Sequence, residues 1–202
     1  MNTLAVTICL SLLVSSLLYQ PTQSRTLPAA VLPITSYGPR FSPQEACPRG
    51  AAKPVVKKAV FPKTTFRLQP DKRTGIETVT CPNGDQVIIR HEGCEYYALR
   101  FEFTTSRFAP PTTALEPWFR NAATLMTGLL SGLDAPLDLR QGVRALTAHI
   151  DQDKKNQYRN LALGQAISFG DETMPSTVSI DSLARSAGKN SVVEVTFAIG
   201  PL

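Results

Sequence analysis

The chain has 202 residues, is 43% apolar, and carries a net charge of +5 with four cysteines. An apolar fraction near the globular norm excludes wholesale disorder, and no apolar run reaches the roughly 18 residues of a membrane-spanning helix. Four cysteines are too few for a disulfide-rich miniature scaffold, which leaves one packed domain with additional segments.

Residues 4–19 form an uncharged apolar run of 16 residues, followed by Pro21 and then Thr22-Gln23-Ser24. At 1.5 Å per residue such a helix spans about 24 Å, short of the roughly 30 Å hydrocarbon core. Small residues at −3 and −1 of a cut before Arg25 complete the pattern of a secretory signal. Residues 1–24 are therefore expected to be removed, with cleavage after Ser24 and the product secreted or periplasmic. No stable transmembrane segment would remain. Cys9 lies inside the apolar run and leaves with it, so Cys47, Cys81 and Cys94 meet an oxidising compartment.

Charge then divides the chain. Residues 25–73 contain ten Lys and Arg against Glu45 and Asp71, whereas residues 75–202 contain eleven basic and fourteen acidic residues. Eight of the sixteen prolines fall between 28 and 70. Proline fixes φ and removes a donor, so residues 25–54 read as an extended basic arm leading into a domain at 55–202. Such an arm suits either a solvated tether or attraction to an anionic envelope component. Nucleic acid is not an expected partner, because the cations are dispersed and no stacking platform accompanies them.

The domain begins with a short strand at 64–68, with Phe61 and Phe66 docking onto it. Residues 76–105 follow as a three-stranded antiparallel meander. Ile76 to Thr80 alternates at period two, and Asn83-Gly84 between β-branched runs is a hairpin signal. A second turn at His91-Glu92-Gly93 leads to a strand with Tyr97, Leu99, Phe101 and Phe103 on one face and Arg100, Glu102 and Thr104 on the other. Cys81 and Cys94 then sit at opposite ends of the middle strand, about 16 Å apart, whereas a disulfide needs Cα atoms within about 7 Å. Cys47 is expected to bridge Cys94 or Cys81 and staple the arm to the sheet.

Beyond Pro110-Pro111, Leu115, Trp118, Phe119, Ala122, Leu125, Met126 and Leu129 recur at helical spacing, with Thr113 and Glu116 resembling a capping box. A second helix carries Leu139, Val143, Leu146 and Ile150 on one face, and Gly142 within it lowers helix propensity by up to about 1 kcal/mol. Strands are expected at 161–169, 177–180 and 191–199. The fold class is α+β: an antiparallel β-meander, a two-helix hairpin, then further antiparallel strands, with the helices on one face of the sheet.

Chemistry-bearing motifs are sparse. There is no Gly-x-Ser-x-Gly elbow and no phosphate-cradling glycine loop. His91 and His149 stand outside any zinc-binding cluster, so no metal or other cofactor is expected. Asp151-Gln152-Asp153 begins like a calcium loop and then fails at Lys155, Asn156 and Ala162, reading instead as a solvated stretch after a helix. Cys94 lies between Glu92 and Glu95, whose charges hold a proton on a thiol and oppose catalysis. The densest polar and aromatic segment, 90–97, nominates His91, Glu92, Glu95, Tyr96 and Arg100 as a binding surface, with a stapled turn carrying one core Tyr as the plainer alternative. No catalytic residue is assigned. The expected function is an exported, non-catalytic binding or envelope-associated protein whose partner is an unidentified protein or anionic envelope component. The alternatives are a small secreted hydrolase using convergent carboxylates such as Glu92, Glu95 and Glu102, or a subunit of an exported assembly.

Overall fold

A computed structural model describes residues 47–171, 173–186 and 189–200. The expected signal segment and residues 25–46 of the expected arm lie outside the described residues. Seven strands form one antiparallel sheet: β1 (Thr64–Leu68), β2 (Gly75–Thr80), β3 (Gln86–Glu92), β4 (Tyr97–Thr105), β5 (Ile167–Phe169), β6 (Ser176–Arg185) and β7 (Ser191–Ile199). Their order is β1-β2-β3-β4-β7-β6-β5. Helices α1 (Leu115–Leu129) and α2 (Leu139–Asp153) lie between β4 and β5 in the chain. This is the α+β architecture that the strand and helix periodicities imply, with β1 extending the meander to four strands.

The alternation along each strand decides which face is covered. Val87, Ile89 and His91 of β3, Leu99, Phe101 and Phe103 of β4, and Val193, Val195 and Phe197 of β7 are all buried. They pack with Trp118, Phe119, Ala122, Leu125, Met126 and Leu129 of α1 and with Leu139, Val143, Leu146 and Ile150 of α2. Each such side chain contributes on the order of 1.5–3 kcal/mol when fully buried. The intervening strand positions, among them Arg90, Arg100, Glu102, Glu194 and Thr196, face the other way and stay half-exposed.

Several local expectations are corrected. The capping box does not form: Ala114 is the N-cap of α1 with no side-chain cap, and Glu116 pairs with Arg120 instead. Pro117 falls in the first turn, where a missing N–H removes no helical bond. Asp138 caps α2 by accepting from Gln141 N at 2.9 Å. The strand expected at 161–169 is confined to 167–169, because Gly164 turns the chain at φ +73°. The strand expected at 177–180 runs on to Arg185, past an irregularity in register between Ile180 and Ser182. Asp153 is not solvated: it is 4% exposed and accepts from Asn156 and from the backbone and side chain of Asn160, closing the turn after α2.

Residues 47–62 form a strap across one end of the sheet. Cys47 is bonded to Cys94, with Cα atoms 5.2 Å apart, and Cys81 is free. The choice between Cys94 and Cys81 is thereby made, and the pairing of Cys81 with Cys94 that strand geometry disfavours is not found. Further along, Asp134 N donates to Val55 O at 2.8 Å and Lys57 N to Gly132 O at 2.8 Å, tying the strap to the segment after α1. Ala52, Val55, Val56 and Phe61 are buried. Within residues 47–54, Cys47, Arg49 and Ala52 are thus held against the domain.

Gly142 has a packing reason. A Cβ at that position would lie 2.5 Å from Phe197 Cε1 and 2.9 Å from Phe169 Cε1. The helix sits on the sheet at a distance only glycine permits. Gly142→Ala gains up to about 1 kcal/mol of helix propensity but overpacks the core at about 1–3 kcal/mol. The expected outcome is a melting temperature lowered by a few degrees; an unchanged or raised value in a thermal unfolding scan would show that the contact relaxes freely.

Candidate functional site

Glu77 is the unexpected residue of the sheet. It occupies the same parity of β2 as Val79, so it points into the apolar layer and is 0% exposed. Its carboxylate accepts from Val55 N at 2.8 Å, Val56 N at 3.1 Å and His91 Nε2 at 2.8 Å. An unpaired buried carboxylate is strongly unfavourable, and these three donors are what make its position tenable. The strap is held because its backbone supplies two of them.

His91 continues the line. Its Nδ1 lies 3.2 Å from the Tyr97 hydroxyl. Burial pushes the Tyr97 hydroxyl well above its ordinary range; the Arg49 charge opposes that shift and the Glu77 charge adds to it. The phenol therefore stays a neutral donor to Nδ1, and His91 donates from Nε2 to Glu77. Phe66 meets the His91 ring edge-on, with centroids 6.1 Å apart.

Arg49 packs over the Tyr97 ring, 5.4 Å from its centroid. Its Nε donates to Gly93 O at 2.9 Å, and its Nη2 donates to Arg73 O. Gly93 adopts φ +86°, and a Cβ there would lie 2.3 Å from Tyr96 O, so glycine is what lets the turn present that carbonyl. Nη1 of Arg49 is buried without a hydrogen-bond partner. Among the described residues no carboxylate is within ion-pair distance of this guanidinium.

These groups border a cleft of about 550 Å³. One wall is the strap from Ala51 to Val55 with Arg49, another is Asp134, Ala135 and Pro136, and Tyr97, Ile199 and Met174 complete it. The lining is mainly apolar, and Lys53, Asp134 and Met174 are exposed. Its volume lies within the roughly 300–1,000 Å³ of small-molecule sites. The cleft offers shape, an apolar wall and a half-buried arginine. Among the described residues, Glu77, His91 and Tyr97 resemble a relay, but the phenol is tied inward to a ring with no exposure. Among the described residues no group of three or more His, Cys, Asp or Glu is placed to hold a metal ion.

The residues nominated from sequence are divided among three places. His91 is not in a turn but in β3, drawn onto the core face by Glu77, so it presents no surface. Glu92 and Arg100 lie on the uncovered face, where Arg100 pairs with Glu92 at 3.4 Å and Glu194 at 3.0 Å. The bond to Glu194 is the main reason the Arg100 guanidinium holds its proton more tightly than usual. Glu95 and Tyr96 are exposed in the turn after Cys94. Glu77 and Arg49 were not nominated. For Glu77 the signal was present: a carboxylate at the apolar parity of an alternating strand. For Arg49 it was proximity to Cys47.

Glu77→Ala leaves two backbone N–H groups and His91 Nε2 without an acceptor. Truncating one partner of a buried charged network typically removes about 3–5 kcal/mol, a large part of the roughly 5–15 kcal/mol that holds a domain together. Urea unfolding should show that loss, and a variant as stable as the wild type would contradict the role given to Glu77. Tyr97 gives a pH signature. Its folded-state pKa lies above its unfolded value near 10, so its contribution is complete below about pH 10 and is lost as pH rises beyond it. Tyr97→Phe should be less stable at pH 7 by about 1 kcal/mol and should decline less steeply above pH 10, read as denaturant midpoints across pH.

Compared with known protein families, curated proteins and solved structures, the chain matches none.

Proposed function

We propose that the chain is an exported, non-catalytic binding protein whose ligand site is the cleft between the strap and the segment after α1. The observation that carries this reading is the cleft itself: a largely apolar concavity bordered by a half-buried arginine. Its wall is anchored at one end by the disulfide and further along by a buried carboxylate. A wall fixed at two points is preorganised, and preorganisation lowers the ordering entropy lost on binding. The disulfide also suits an oxidising compartment, in keeping with the signal pattern at residues 1–24.

The hydrolase alternative is less well supported. Glu92 and Glu102 lie on the uncovered sheet face, paired with Arg100 at 3.4 Å and Arg90 at 3.9 Å. Neither they nor Glu95 lines the cleft. A general acid in glycoside hydrolysis needs a raised pKa and a facing carboxylate across a substrate groove, and paired surface carboxylates supply neither.

The test uses protein recovered from the exported fraction, whose first residue is expected to be Arg25. Amide chemical-shift mapping against a panel of small apolar, anionic and cationic molecules should give changes clustered at Ala51–Val55 and Asp134–Pro136. Ala135→Trp, which fills the cleft, should abolish them. Changes clustered instead around Arg90, Arg100 and Glu102, or unaffected by Ala135→Trp, would refute the reading.

A further inference from the structure

Arg49 places a positive charge at the edge of an apolar concavity, and among the described residues no acid lies within ion-pair distance of it. Two backbone carbonyls, of Gly93 and Arg73, hold its guanidinium in place, but carbonyl dipoles orient a cation without neutralising it. Among the described residues Nη1 has no hydrogen-bond partner. Glu77 is engaged by three N–H donors and makes no contact with Arg49 within ion-pair distance. At the lips, Lys53 adds a second positive charge and Asp134 one negative charge, so the residues bordering the cleft carry a net positive charge. In a site with apolar walls, a cation acts on a ligand through a lower effective dielectric than in water, and the attraction grows accordingly.

That combination selects a ligand. An apolar body fits walls made by Ala52, Val55, Ala135, Pro136, Ile199 and Met174. A neutral hydrophobe would leave the guanidinium unmatched, and a cation would be repelled by it. A dianion would bring a second charge toward Asp134. Resting on the cleft being the binding site, we propose that its ligand is a monoanionic carboxylate with an apolar body, of the fatty-acid class, oriented with its carboxylate toward Arg49.

Octanoate and 1-octanol, used below their aggregation concentrations on the disulfide-intact exported protein, separate charge from shape. Titration calorimetry should give octanoate an affinity at least about tenfold above that of octanol, equivalent to about 1.4 kcal/mol. Arg49→Gln should reduce octanoate to the octanol level and leave octanol unchanged. Arg49→Lys, which keeps the charge but not the two-carbonyl grip, should keep the preference, with melting temperatures recorded for both variants. Equal binding of the two probes to the wild type, or a preference that survives in Arg49→Gln, overturns the ligand class and leaves the cleft as a site. Loss of the preference in Arg49→Lys as in Arg49→Gln also overturns it, since Arg49 would then be only a structural tie. Failure of both probes while other panel members bind in the cleft removes the fatty-acid class alone. Binding of either probe that is unchanged by Ala135→Trp overturns both this inference and the cleft reading.

Discussion

The buried Glu77 carboxylate is the interaction on which the site rests. A charged group inside an apolar layer is tolerated only when every strong acceptor position is answered. Here the answers come from sequence-distant places: two backbone amides of the strap and an imidazole two strand positions beyond Ile89, the hairpin partner of Glu77 itself. The strap therefore cannot leave without stranding a charge, and the cleft wall inherits that rigidity. The disulfide at Cys47 fixes the start of the same segment, and the bridge between Val56 and Leu133 fixes its far side to the turn after α1.

Much of this was readable in advance, for physical reasons. Long periodic segments announced themselves: β4 and β7 alternate cleanly, and the apolar stripe of α1 has helical spacing. The disulfide was narrowed to two partners because strand rise forbids the local pair. The failures fall where a tertiary contact overrides a local signal. His91 looked like a turn residue because it precedes Glu-Gly, yet the Glu77 carboxylate extends β3 through it. Gly142 looked like a weak point in a helix, yet it is where two phenyl rings approach the backbone. Arg49 lay in a proline-rich stretch that reads as arm, and only the fold brings it beside Tyr97.

The uncovered face of the sheet solves a different problem. Like charges sit directly opposite each other across strands: Arg90 faces Arg100, and Glu102 faces Glu194. Lateral repulsion is relieved along diagonals, where Arg90 meets Glu102 and Arg100 meets Glu92 and Glu194. Partly exposed pairs of this kind contribute at most about 1 kcal/mol each to stability. Their arrangement matters more for alignment, because a slipped register would break the diagonals and turn side chains to the wrong face.

The place of β7 has a consequence for how the molecule is made. β4 lies at the middle of the sheet, and its second neighbour is β7, with Tyr97 paired to Ile199. Until β7 emerges, β4 is a long, apolar, unpaired edge able to template misassociation between nascent copies. Two helices and two further strands must be made before that edge is closed.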